Sequence, residues 1–113
     1  MVTVAEVRAL ARTLPRTTEH LIRDRVKFRV GSIVYVAFSR DESTMGFGYP
    51  KEERAALIAA EPDLFLLPPT ADLRFNWVCC HLDRLDHGHM TELVSEAWRM
   101  VVPRFLARQR LGQ

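Results

Sequence analysis

A chain of 113 residues with 48% hydrophobic and 27% charged residues is of single-domain size and has the apolar content for a packed core, which excludes a disordered polypeptide. A net charge of +2 and a pI near 8.8 make it mildly basic, short of the composition that by itself marks a nucleic-acid binder. Apolar runs such as residues 33–38 fall well below the roughly 20 residues of a membrane helix. Glu6, Arg8 and Arg12 break any secretion-signal pattern near the start, so one cytoplasmic domain over residues 1–113 is expected.

Thr3 and Glu6 form a T-x-x-E capping box, and Val4, Val7, Leu10, Ala11 and Leu14 recur at helical spacing until Pro15, which predicts a helix over residues 3–14. In residues 26–30 the period changes to two: Val26, Phe28 and Val30 alternate with Lys27 and Arg29, giving a strand with one apolar and one cationic face. Gly31 and Ser32 supply a turn into a β-branched and aromatic run over 33–39, completing a hairpin. After a polar connection at 40–43, Met45, Phe47 and Tyr49 alternate with Thr44, Gly46 and Gly48 as a third antiparallel strand. The G-x-G within it reads as a place of close approach and not as a phosphate loop.

Pro50, Glu52 and Glu53 open a short helix over 51–60 that packs Leu57 and Ile58 and stops before Pro62. Residues 64–67 are either a brief strand or a packed loop ahead of Pro68 and Pro69. Leu73, Phe75, Trp77 and Cys79 alternate with Arg74, Asn76, Val78 and Cys80 as a long strand placed centrally in the sheet. On that strand Cys79 and Cys80 point to opposite faces, which is unsuited to a disulfide, and both read as reduced, packed thiols.

A polar loop over 83–88 leads to the clearest periodic signal. Met90, Leu93, Val94, Ala97, Trp98, Val101, Val102, Phe105 and Leu106 predict a long helix, kinked or reset at Pro103. Arg99, Arg104, Arg108 and Arg110 suit a helix C-terminus and do not align as one ridge, so no recognition helix is indicated. The sum is an α+β fold: an antiparallel sheet of about five strands with an N-terminal helix, a short middle helix and a long C-terminal helix packed on one face.

Several segments, in order, resemble the MmcQ/YjbR-like family. Leu14-Pro15 followed by Thr18-Glu19 is similar to its L-P-G-x-x-E segment, residues 26–35 to its strand-turn-strand, and Tyr49-Pro50-Lys51-Glu52 to the start of its middle helix. Asn76-Trp77-Val78 and an Ala97-Trp98-Arg99 helix ending at Pro103 resemble its C-terminal half. Arg16 departs from the family glycine, and Arg74 is the one cation just before Trp77. The resemblance implies a CyaY-like, double-wing fold and DNA binding. Iron binding in the CyaY-like class uses an acidic ridge, which this chain lacks: Glu6, Glu19 and Asp24 stand among Arg8, Arg12, Arg23 and Arg25.

The residues themselves point to Arg23, Arg25, Lys27 and Arg29 as the candidate nucleic-acid surface, because alternate strand residues share a face and can track phosphates. Tyr35, if it shares that face, would add an aromatic platform. His81, His87 and His89 match no metal spacing, Ser39, Thr91 and Ser95 have no evident base, and no nucleotide fingerprint occurs, so neither a cofactor nor catalysis is expected. The alternative is a protein-interaction or small-ligand module built on the exposed sheet face or a groove near Trp77 and Trp98.

Overall fold

The capping box forms as the sequence predicts: the Glu6 amide donates to the Thr3 hydroxyl at 3.3 Å and the Thr3 amide to the Glu6 carboxylate at 2.7 Å, which starts helix α1 (Val4–Ala11). The computed structural model describes residues 1–111, with side chains through Gln109. After α1 come strands β1 (Thr17–Ile22), β2 (Arg25–Val30), β3 (Ile33–Phe38) and β4 (Thr44–Gly48), then helix α2 (Arg54–Ala60). Strands β5 (Phe65–Leu66) and β6 (Trp77–His81) and helices α3 (His87–Arg99) and α4 (Arg104–Leu111) complete the order. No helix among the described residues is long and apolar enough to cross a membrane.

The strands form one antiparallel sheet in the order β1-β2-β3-β4-β6-β5. Val4, Val7 and Ala11 of α1 and Met90, Leu93, Val94, Ala97 and Trp98 of α3 join Phe28, Val36, Phe38, Met45 and Phe47 of the sheet in one buried core. Helix α3 packs on one face of β3 and β4, and the candidate site lies over the opposite face.

The sheet has six strands where about five are expected from the sequence. The additional strand is β1, whose adjacent Leu21 and Ile22 give no alternation and whose residues are mostly exposed at the sheet edge. It joins β2 through Arg23 and Asp24, at φ 54° and 65°, the two positive values of a type I′ hairpin turn. Arg-Asp carries none of the Asn-Gly signature of that turn, which hid the hairpin. The strand expected over 73–80 is confined to Trp77–His81, because Thr70–Asp72 forms a 3-10 turn and the chain bends after it. Residues 64–67 do contain a brief strand, β5. Pro103 resets the last helix: α3 ends at Arg99 and α4 begins after Pro103, whose carbonyl accepts from the Leu106 and Ala107 amides.

Candidate functional site

Strand alternation sets the open face. Thr18, His20 and Ile22 of β1 pair with Arg29, Lys27 and Arg25 of β2, and Lys27 is then in line with Ala37, Gly46, Cys79 and Leu66 across the sheet. Three successive small residues, Ala37, Gly46 and Cys79, leave a low floor. A groove of about 1040 Å³ lies over it, with Arg25 and Lys27 on one rim and Leu66, Leu67, Pro68, Pro69 and Phe75 on the other.

Of the four predicted cations, two line this groove. Arg25 is exposed and Lys27 half-buried, and neither takes part in an ion pair among the described residues. Arg29 shares their face but is half-buried beside Thr18, and its Nε is buried with no hydrogen-bond partner. Arg23 leaves the set: it occupies the hairpin turn, where its carbonyl accepts from Arg40 Nε at 3.1 Å. Simple alternation fails there because a turn residue belongs to neither sheet face.

Tyr35 is not on the open face. The register between β2 and β3 shifts between Phe28 and Arg29, so β3 has one residue more than β2, and this bulge turns Tyr35 inward beside Val36. The ring is 0% exposed and its hydroxyl lies 2.8 Å from Thr17 Oγ1. Burial pushes the phenol up to about 12, so it stays neutral in ordinary solution.

Trp77 brings an aromatic group to the open face. Its indole lies against Gly46, with Nε1, Cε2 and Cζ2 at 2.5, 2.8 and 2.9 Å from where a Cβ would stand, so only glycine leaves room for it. Trp98 is by contrast core, fully buried with its Nε1 donating to the Pro15 carbonyl at 2.9 Å. The G-x-G reading as a close approach holds at Gly46.

The far wall, residues 67–76, has little regular structure and is held by side chains. Arg54 donates to the carbonyls of Leu73 at 2.6 Å and of Phe75 and Trp77 at 3.1 Å each. The Lys51 amide donates to Asn76 Oδ1 at 3.0 Å, Lys51 Nζ to the Arg74 carbonyl at 3.2 Å, and the Tyr49 amide to the Asn76 carbonyl at 3.1 Å. The segments 49–52 and 76–78 thus meet in space as parts of one brace. Arg54 opens α2, and a cation in the first turn of a helix works against the macrodipole, which is the sequence sign that it has another task.

Asp72 is the carboxylate among the lining residues, and it adds to burial in pushing the Cys79 thiol up to about 11. Cys80, on the core face, is pushed up to about 12, chiefly by burial. A protonated thiol is a poor nucleophile, so the floor is chemically quiet. The histidines have separate partners: His87 Nδ1 is 3.6 Å from Glu6, and His89 packs edge-on against Phe65. No group of three or more His, Cys, Asp or Glu able to hold a metal occurs among the described residues. Arg99 pairs with Glu96, and the Arg110 side chain lies outside the described residues.

A family model described as YjbR matches residues 12–100, from the end of α1 to the break before α4. No curated protein matches the chain. A crystal structure of the Deinococcus radiodurans protein DR2400, with a domain described as DUF419, is similar over 99% of this chain and 89% of that one. Its TM-score is 0.79 at 21% sequence identity, a likeness of fold.

Proposed function

The chain belongs to the YjbR family, and on that premise we propose that it is a cytoplasmic, non-catalytic protein that binds nucleic acid through phosphate contacts from the open sheet face. The observation that carries this reading is the pair Arg25 and Lys27, held by strand alternation on one rim of a groove, with no carboxylate neutralising either among the described residues. Their Cα atoms are two residues apart on β2, roughly 6.5–7 Å. That spacing lets both cations engage one phosphodiester backbone. Arg29 follows on the same face, while Arg23 at the hairpin tip is free to reach a phosphate outside the groove.

Binding of this kind displaces condensed counterions, so affinity should fall linearly in log–log terms as salt rises. Affinity for a fluorescent oligonucleotide, measured at two salt concentrations for the wild type and for the Arg25→Glu, Lys27→Glu double variant, tests it. The wild type should weaken steeply with salt and the double variant should show a slope shallower by about 2. Equal, salt-insensitive signals from both proteins would remove the proposal.

The apolar half of the groove favours a second reading, a module for a small amphipathic ligand. Leu66, Leu67, Pro68, Pro69 and Phe75 offer an apolar wall, and the groove's size is that of small-molecule sites.

A further inference from the structure

We infer that the preferred nucleic acid is a single strand whose phosphates follow the Arg25–Lys27 rim while unstacked bases enter the groove against Trp77. This rests on the nucleic-acid reading above and names its substrate class. The rim and the indole are separated by the small-residue floor: from Lys27 across Ala37 to Gly46 is two strand spacings, about 9.5 Å. A nucleotide has the same division, an anionic backbone on one side and a flat apolar ring on the other.

The far side suits a base and not a phosphate. Trp77 has one side seated on Gly46 and is partly exposed to the groove, and its Nε1 makes no hydrogen bond among the described residues. Phe75 is 50% exposed on the facing wall, with the Arg74 guanidinium 4.7 Å from its ring centre. Ring faces of this kind stack on any base, which gives affinity without sequence choice. Asp72, on the same wall, repels phosphate and can accept from an exocyclic amino group. The two cations on one rim and the single lining carboxylate, Asp72, on the other wall therefore orient the strand.

A duplex cannot use this arrangement. Its bases are stacked inside and its phosphates lie on a convex surface, so it meets the cationic rim and leaves the recessed indole untouched. Phosphate contacts alone would leave the apolar far wall of the groove without a task.

The experiment follows the two indole N–H signals in ¹H–¹⁵N spectra, assigned through Trp77→Phe, while adding a short single-stranded oligodeoxynucleotide, the same strand annealed to its complement, or dodecanoate. The single strand should bind about 10-fold more tightly than the duplex and shift the Trp77 signal, while Trp98, buried and bonded to Pro15, stays in place. Gly46→Ala, which unseats the indole, should lose about 10-fold in single-strand affinity and none for the duplex. The unmoved Trp98 signal reports that this variant is folded. Trp77→Leu should show the same loss and Trp77→Phe should restore most of it. Salt-dependent binding with the duplex equal to the single strand and Trp77 silent would overturn this inference and leave the nucleic-acid reading standing. Salt-insensitive or absent binding of both forms would remove the two together. A Trp77 shift produced by dodecanoate and not by the strand would overturn it in favour of the small-ligand reading.

Discussion

The two walls of the groove are built by different means. Arg25 and Lys27 stand on β2, which the backbone ladders to β1 and β3 hold in place whatever the side chains are. Residues 67–76 have no ladder along most of their length and depend on Arg54, Lys51 and Asn76. A strand places its side chains by alternation, so its residues are free to change with function. An irregular wall has to be specified donor by donor, and a single substitution should undo it.

The largest contrast should come from Arg54→Ala, which strips three carbonyls of a cationic donor. A loss of roughly 2–3 kcal/mol is expected in urea unfolding, with the Trp77 indole signal displaced. Arg25→Ala on the strand wall should change stability by no more than about 0.5 kcal/mol. Equal effects from the two variants would erase the distinction between the walls.

A second contrast lies on the floor between them. With the Cys79 thiol at about 11 against an ordinary 9.0, its thiolate is one to two orders of magnitude scarcer at pH 8, and iodoacetamide should label it correspondingly more slowly than a free cysteine. A raised pKa means that the folded protein favours the protonated thiol. Its contribution to stability is therefore complete below pH 9.0 and lost as the pH rises through about 11. Rapid labelling at pH 8 in the native protein would show that the floor is open to solvent.

The smallest effect concerns the strand side. Arg16, at φ 64° just before β1, occupies the left-handed region that favours glycine. Arg16→Gly relieves that backbone cost but enlarges the freedom of the unfolded chain, so a net gain of about 0.5–1 kcal/mol is expected in thermal unfolding. A loss of stability would mean that the Arg16 side chain contributes more than its conformation costs.

Much of the fold was legible because its signals are local. The Thr3–Glu6 capping box, the alternation from Val26 to Val30 and the stripe from Met90 to Trp98 each concern residues within a few positions of one another. Strand β1 carries no such local signal, since an edge strand buries too little to impose a pattern. The cationic rim was legible through alternation, except at Arg23, where an atypical hairpin turn takes over.

What the sequence determined by itself was therefore most of the elements, β1 excepted, their order and the outward parity of Arg25, Lys27 and Arg29. Tertiary structure decided that Tyr35 turns inward at a bulge, that Trp77 seats on Gly46, and that Arg54 reaches carbonyls 19, 21 and 23 residues away. Periodicity reports which side of its own element a residue occupies. Those outcomes depend on pairing between elements: Tyr35 on the register of β2 against β3, and Trp77 on the insertion of β6 between β4 and β5.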